Sequence, residues 1–381
     1  MNNLPRVRFN RPYLTGRERD YIDQVLESRR LAGDGPFSQR CQTLMQQRFG
    51  ATSVQLTTSG TSALEVAALL CDLAPGDEVI LPSYTFSSTA NAFWLRGAKL
   101  KFIDVRRDTL NIDEAQIEAA VGTRTRAIAA VHYAGVGCEM DSIMAVASKH
   151  GLTVVEDAAQ GVNATYRGRY LGTIGHMGCY SFHESKNFVA GEGGAFLTNN
   201  ARLAERAEIM REKGTNRSQF FRGEVDKYTW IDIGSSYIAS DLLAAVLLAQ
   251  LEAMDEITAL RRRAYDRYST GLAPLVDAGT IEVQSIPPHC ASNFHLFYLL
   301  AESLQTRTRL IDHLKQRGIP ALFHYVPLHT SPVGHRMGYR AGMLPVTEDC
   351  AERLVRLPLY AGLRDDEVDR VAEEVRRFFG R

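Results

Sequence analysis

Paired cysteines are missing from this sequence. Its six cysteines stand alone, at Cys41, Cys71, Cys138, Cys179, Cys290 and Cys350, with no CxxC and no zinc-like spacing. Most sit among apolar residues. A disulfide framework is therefore set aside in favour of packed, reduced thiols in a cytosolic protein. No apolar run reaches membrane-spanning length, and the N-terminal stretch lacks the apolar core of a signal peptide. A cytoplasmic protein with no membrane partner is expected. An excess of one charge is also lacking: 44 Lys and Arg balance 44 Asp and Glu, with no long basic run. That argues against nucleic acid as a partner and leaves room only for a local basic pocket that takes a diphosphate. Neither GxxxxGK[ST] nor a GxGxxG after a first strand occurs, which removes two common nucleotide cradles. His176 and His183, and His324 and His329, lack helical ligand spacing with an acidic partner, so no metal site is read. Internal repeats and low-complexity tracts are absent as well.

What is present is an ordinary globular composition, 45% apolar over 381 residues, enough for one large and one small domain. Residues 1 to 13 read as extended, since Pro5 and Pro12 discourage helix. Thr15 and Glu18 fit a capping box, opening a helix that Leu31 closes before Gly33. Gly33 to Pro36 is a loop, either a connector or a substrate contact, with Gly35 the candidate. A second helix spans Ser38 to Phe49. Apolar strands and helices then alternate. Strands are expected at Ser53–Thr57, Glu78–Leu81, Lys99–Asp104, Arg126–Val131, Leu152–Glu156, Gly178–Phe182 and Gly193–Leu197. This order argues an α/β domain with a mostly parallel seven-stranded sheet between helices. Gly214 to Ser240 reads as irregular, and one long helix as running from Asp241 to Ser269. The domain change is placed along that helix, giving a large domain over 1–250 and a small α+β domain over 251–381. The small domain carries strand-like Phe294–Ala301, a helix Leu304–Arg317, the stretch Ile319–Tyr325 and a last helix Asp365–Phe379.

Three stretches carry chemistry. Lys186 lies between the strand ending at Phe182 and the turn Gly191-Glu192-Gly193-Gly194, where glycine supplies positive φ. Most lysines are solvated charges, but one held in such a place suits an amine that sheds its proton and forms a Schiff base. The strand Val154 to Glu156 runs into Asp157, an anion for a pyridinium nitrogen, and Gln160 follows within reach of a ring hydroxyl. Alone, Asp157 reads more readily as a helix cap, and its partners shift that reading. Ser59, Gly60 and Thr61 form a strand-to-helix turn where unpaired N–H groups and the helix dipole hold a phosphate, and Ser181 can add its hydroxyl. Together these are the handles of pyridoxal phosphate. Phe86, with Tyr84 as the competing choice, can stack on the ring.

At these residues the chain resembles the sugar aminotransferases of the DegT/DnrJ/EryC1/StrS family, within the fold-type I pyridoxal phosphate enzymes. The motifs are SGT (59–61), PSYTF (82–86), EDAAQ (156–160), SFHESKN (181–187) and GEGG (191–194). The resemblance implies Lys186 and Asp157 as catalytic residues, with Thr61 and Ser181 on the phosphate. Some relatives that remove a hydroxyl carry histidine at the lysine position, so the lysine favours transamination. DKYTWIDIGSSYIASDLLAA (226–245) and HYVPLH (324–329) resemble members acting at carbon 4 of dTDP-4-dehydro-6-deoxy-glucose with L-glutamate as donor, for surface glycans such as enterobacterial common antigen. This brings in Tyr325, His329 and Lys213 as substrate contacts, the last with Arg211 and Arg217 facing the diphosphate. The family forms dimers with active sites shared between subunits, which implies a homodimer here, alone or within a dimer of dimers. Many have Asn where this chain has Ser236, and that Asn reaches the neighbouring subunit's cofactor. Amino transfer at carbon 3, formation of the gluco epimer, and a non-catalytic regulatory protein that binds the cofactor remain as alternatives.

Overall fold

A computed structural model describes residues 6–380. The central sheet contains β1 (Ser53–Thr57), β2 (Glu78–Pro82), β3 (Lys99–Ile103), β4 (Thr125–Val131), β5 (Thr153–Asp157), β6 (Met177–Ser181) and β7 (Gly194–Thr198). Their spatial order is β1-β7-β6-β5-β4-β2-β3. Neighbours from β3 across to β6 are parallel, whereas β7 runs antiparallel to both β1 and β6. The linkers explain the difference. Helices Ser87–Trp94 and Met140–His150 make the crossovers that parallel strands need. The link from Phe182 to Gly193 pairs with its own start, Phe182 N–H to the Gly193 carbonyl and Ala190 N–H to the Phe182 carbonyl, so β7 folds straight back beside β6, whereas the longer, equally helix-free link between β5 and β6 crosses over.

Both faces of the sheet are covered. Ile80, Ile128, Val154 and Leu197 face one core, and Val79, Leu81, Ala127, Val155 and Phe196 face the other. This is why the strands read as apolar runs rather than as alternating ones. The seven strands lie within a residue or two of their expected spans.

A second, antiparallel sheet places Phe297–Leu300 between Glu282–Val283 and Leu354–Leu357. Helices Met254–Asp277, Leu304–Gln316 and Asp365–Phe378 pack around it. The last of these buries Val368, Val371, Ala372 and Val375, a stripe at helical spacing. Val7, from the extended N-terminal segment, joins this core. Among the described residues no helix is long and apolar enough to cross a membrane.

The expectations need correction in several places. The first helix spans Glu18–Ser28 and stops short of Leu31, because Arg29 takes a left-handed conformation and Leu31 turns its carbonyl to the Asp241 N–H. The Glu18 carboxylate does reach back to the Thr15 N–H. The helix expected from Asp241 is two helices, Asp241–Glu252 and Met254–Asp277, joined at Ala253. Ala244, Leu247 and Leu251 belong to a core of the large sheet, whereas Ala264, Tyr268 and Leu272 belong to the core of the small one. Ile319–Tyr325 makes a single bridge, Leu322 with Arg356, and no strand. A short helix, Arg217–Phe221, interrupts the irregular region. The strand Leu354–Leu357, ended by Pro358, was not anticipated.

Asp241 ties the start of its helix to the Pro36–Phe49 helix. Its buried carboxylate accepts from Phe37 N–H at 3.1 Å and from Ser38 N–H and Oγ at 2.7 Å each. Gly35 is required beside it, since a Cβ there would stand 2.5 Å from Asp241 Oδ2. Asp241→Ala would strip three buried donors of their acceptor. A loss of about 2–4 kcal/mol is expected, measured as a fall in the denaturant midpoint at unchanged m-value.

Candidate active site

The C-terminal ends of β1, β2, β4, β5 and β6 open onto one cavity of about 550 Å³, walled on its far side by the small sheet. Ligands of open α/β sheets bind at such ends. Ser59, Gly60, Thr61, Phe86, Asp157, Gln160, Ser181, Lys186 and Tyr325 all line it.

The link between β6 and β7 aims Lys186. Phe182 and Glu184 donate N–H to the carbonyls of Gly193 and Gly191, and Ala190 N–H returns to Phe182. Gly191 turns the chain with φ of +86°. Next to the lysine, Asn187 donates to the Asn293 carbonyl and contacts His295 Nδ1 through its own oxygen, each at 2.8 Å. The loop is thus fastened to the second half of the chain. Surrounded by protein and open only to the cavity, the Lys186 amine is held below the ordinary lysine pKa, chiefly by burial. The charge of Asp157 opposes that shift and the charge of Arg356 adds to it.

Strand alternation separates two adjacent carboxylates. Asp157 faces the cavity. Glu156 lies beneath, fully buried, where it accepts from Gly172, Ile174 and Gly175 N–H and meets His132 Nε2 at 2.8 Å. Asp157 accepts from Thr89 Oγ1 at 2.6 Å and Ala159 N–H at 3.1 Å. Two donors fix its orientation and leave lone pairs directed into the cavity.

At the other side, Ser59 caps the Gly60–Leu70 helix by accepting from Ser62 N–H. Thr61 Oγ1 meets Ser88 Oγ at 2.8 Å, in the first turn of the Ser87–Trp94 helix. Two helix starts therefore converge, and the part of the second, through Ser88, was not foreseen. A Cβ on Gly60 would lie 2.8 Å from the Ser181 Cβ, and one on Gly194 2.4 Å from the Ser59 carbonyl. The two glycines let β6 and β7 press against the helix start, leaving a polar cradle beside its first N–H groups. Cradle, carboxylate and amine fit the phosphate, ring nitrogen and aldehyde of pyridoxal phosphate.

Burial separates the two aromatic candidates. Tyr84 is fully buried, packed edge-on against Tyr133 and Tyr325, while Phe86 stands 60% exposed in the cavity wall. Gln160 holds Ala134 N–H through Oε1 and donates to Tyr325 OH at 3.1 Å. Other expected residues stand apart from this cavity. His329 is fully buried, with Nδ1 on Ser83 Oγ and Nε2 on Glu348, so neither ring nitrogen is free. Gly35 packs on Asp241. Lys213 is exposed outside the cavity wall. Arg211 is spent on Asp34 and the Leu56 carbonyl, and Arg217 on Glu212. Ser236 is exposed, in a bridge with Glu212. Unanticipated wall residues are Phe9, Asn10, Ser88, His295, His324 and Arg356. Burial holds both histidines well below their ordinary pKa, so they stand neutral beside the lysine.

Fold and cavity together define an aminotransferase of the vitamin B6 class. A model of the DegT/DnrJ/EryC1/StrS aminotransferase family matches residues 12–376, and the chain belongs to that family. It is 34% identical to GDP-perosamine synthase of Caulobacter vibrioides, over 97% of this chain and 98% of that protein. It is 34% identical to the spore coat polysaccharide biosynthesis protein SpsC of Bacillus subtilis, over 97% and 96%. Among solved structures, DesV of S. venezuelae superposes with a TM-score of 0.91 at 32% identity, over 99% of both chains.

The lowered pKa of Lys186 has a stability consequence. A base whose folded pKa lies below its unfolded one destabilises the fold at low pH, and the penalty disappears above the unfolded value, about 10.4 for lysine. In cofactor-free protein, Lys186→Met should therefore melt higher than the unaltered chain at pH 7. The gap should close as pH rises toward about 10. Equal melting temperatures at all pH values would contradict the burial penalty.

Proposed function

We propose that this protein transfers the amino group of L-glutamate to carbon 4 of dTDP-4-dehydro-6-deoxy-D-glucose, giving dTDP-4-amino-4,6-dideoxy-D-galactose and 2-oxoglutarate. The cofactor is pyridoxal phosphate, and the enzyme is a sugar aminotransferase. The observation that carries the reading is the meeting of Lys186, Asp157 and the hydroxyl-lined helix start in one cavity at the strand ends. The carbon-4 and dTDP assignments rest on the 226–245 and 324–329 segments. The relative named GDP-perosamine synthase supports a nucleotide-linked sugar and makes GDP the alternative carrier. A surface glycan is the proposed destination of the product.

Bound pyridoxal phosphate supplies an aldehyde that accepts the amino group and a protonated ring that draws electrons from the reacting carbon. The protein does the rest. Ser59, Thr61, Ser88 and Ser181, with the N–H groups of the first helical turn, would hold the phosphate and so fix the ring's position. Asp157 keeps the ring nitrogen protonated, and Thr89 keeps Asp157 in place. Phe86, in the cavity wall, would cover a face of the ring, and Gln160 would reach its hydroxyl. The Lys186 amine, held below its ordinary pKa, is basic enough to take a proton from the substrate carbon and acidic enough to return it. The cavity is entered in turn by donor and sugar, so the kinetics should be ping-pong.

The exposed Phe221, Trp230, Ile231 and Ile233 lie on the same irregular region as Ser236, outside this chain's own cavity. A second copy is proposed to cover them and to bring Ser236 and Lys213 toward its own site.

Lys186→Ala should abolish turnover and the visible absorbance band of the bound cofactor; steady-state turnover by that variant would defeat the assignment. Asp157→Asn keeps the shape and removes the charge, and kcat should fall about 10²–10³-fold with the cofactor still bound. NMR of the product formed from the dTDP and GDP keto sugars decides carrier, carbon and epimer. Sedimentation velocity reads the proposed dimer directly.

A further inference from the structure

The wall beside the lysine contains a nitrogen lone pair with no partner. His295 stands two residues before the strand Phe297–Leu300, buried in the cavity wall. The backbone around it is held from both sides. Arg261 donates to the carbonyls of Phe294 at 3.0 Å and His295 at 2.6 Å. Asn293 donates to those of Gln160 and Val162, at 2.8 Å each. The hydrogen-bond network assigns the proton on the ring. Asn187 gives its amide N–H to the Asn293 carbonyl, so the atom it turns to His295 Nδ1, at 2.8 Å, is an oxygen. An amide oxygen only accepts, and Nδ1 therefore carries the proton. Burial holds this ring well below the ordinary histidine pKa, and the charges of Lys186, Arg261, His324 and Arg356 press the same way. The ring is neutral, which leaves Nε2 a bare acceptor. It has no partner among the described residues. His324, the neighbouring histidine of the wall, offers no such fixed acceptor, because Tyr133 OH can either donate to its Nδ1 or accept from it.

We propose that His295 is a positioning residue for Lys186, its Nε2 accepting a hydrogen bond from the amine whenever the amine is not bonded to the cofactor. The amine supplies N–H groups and likewise has no hydrogen-bond partner among the described residues. The two unpaired groups are complementary and share one wall. They are also linked mechanically, since Asn187, next to the lysine, is the residue that fixes the ring's tautomer. An amine on a flexible stem must aim its own lone pair at the reacting carbon, and one N–H held by a fixed acceptor removes its freedom to turn away. A carboxylate could hold that N–H as well, but it would raise the amine's proton affinity. A neutral nitrogen orients the amine and brings no charge.

This role rests on the amino-transfer reading, and the experiment separates the two. Asparagine keeps a donor near the Nδ1 position and gives up the Nε2 acceptor; glutamine keeps an acceptor near Nε2 and gives up the Nδ1 contact. His295→Asn should lower kcat for glutamate and for the keto sugar alike, about 10–10²-fold, with both KM values unchanged. His295→Gln should recover most of the rate. If the ring only braces Asn187, the order reverses, with His295→Asn near normal and His295→Gln impaired, and the role is overturned. A loss confined to one of the two substrates also overturns it, since the ring then serves that substrate and not the lysine. A second readout needs no turnover. In protein carrying nitrogen-15-labelled histidine, the His295 Nε2 resonance is identified by its absence from His295→Asn. It should move upfield from the aldehyde-loaded to the amine-loaded enzyme, as the released amine donates to it. In Lys186→Ala it should keep the unbonded position with either form of the cofactor. A resonance that stays still in the unaltered enzyme, or moves equally in Lys186→Ala, overturns the role. An unaltered enzyme that converts no amino acid overturns amino transfer and this role with it; a working enzyme indifferent to His295→Asn overturns the role alone.

Discussion

An amine that must lose its proton is held where its charge is disfavoured, and most of the fold serves that placement. A lysine on a free loop would find water and keep its proton. Here the β6–β7 link is short enough that β7 must return antiparallel, and its hydrogen bonds to Gly191 and Gly193 leave Lys186 one direction to point. Asn187 then locks the loop to Asn293 and His295. The site is therefore rigid because two halves of the chain grip one short segment from opposite sides.

The neighbouring charges are arranged to the same end. Asp157 alone would raise the lysine's proton affinity; burial and Arg356 outweigh it. His295 and His324 add no charge, since both are held neutral. Glu156, one residue from Asp157, is kept out of the cavity by strand alternation and satisfied by three backbone donors and His132. Of the two adjacent strand-end carboxylates only Asp157 faces the cavity; Glu192, the other carboxylate in its wall, stands on the lysine loop beside His183.

The sheet was legible because both of its faces are buried, so its strands stand out as apolar runs between glycine, proline and hydroxyl-rich breaks. The phosphate cradle, Asp157 and the lysine loop were legible because each is local: a strand end and the few residues after it. What escaped is long-range. Phe9 and Arg356 meet across almost the whole chain. Arg356 also lies on a four-residue strand cut off by proline, too short to show a pattern. His329 misled for the converse reason. A histidine beside prolines suggests a site loop, yet only the tertiary fold shows Ser83 and Glu348 consuming both of its nitrogens. Arg211 and Gly35 are similar, their partners Asp34 and Asp241 being recognisable only once the chain is folded.

The two ends of the cavity are built differently, and the difference would suit the proposed two-substrate reaction. The phosphate must stay through every turnover, so a cradle of hydroxyls and helix N–H groups, rigid and without a mobile charge, is sufficient and specific. The donor must arrive and leave in each cycle, and the sugar that follows brings only neutral hydroxyls to the reacting end. At that other end the wall carries the Arg356 guanidinium, 5.1 Å over the Phe9 ring and without an ion pair or hydrogen-bond acceptor among the described residues, so the two ends differ in fixed charge.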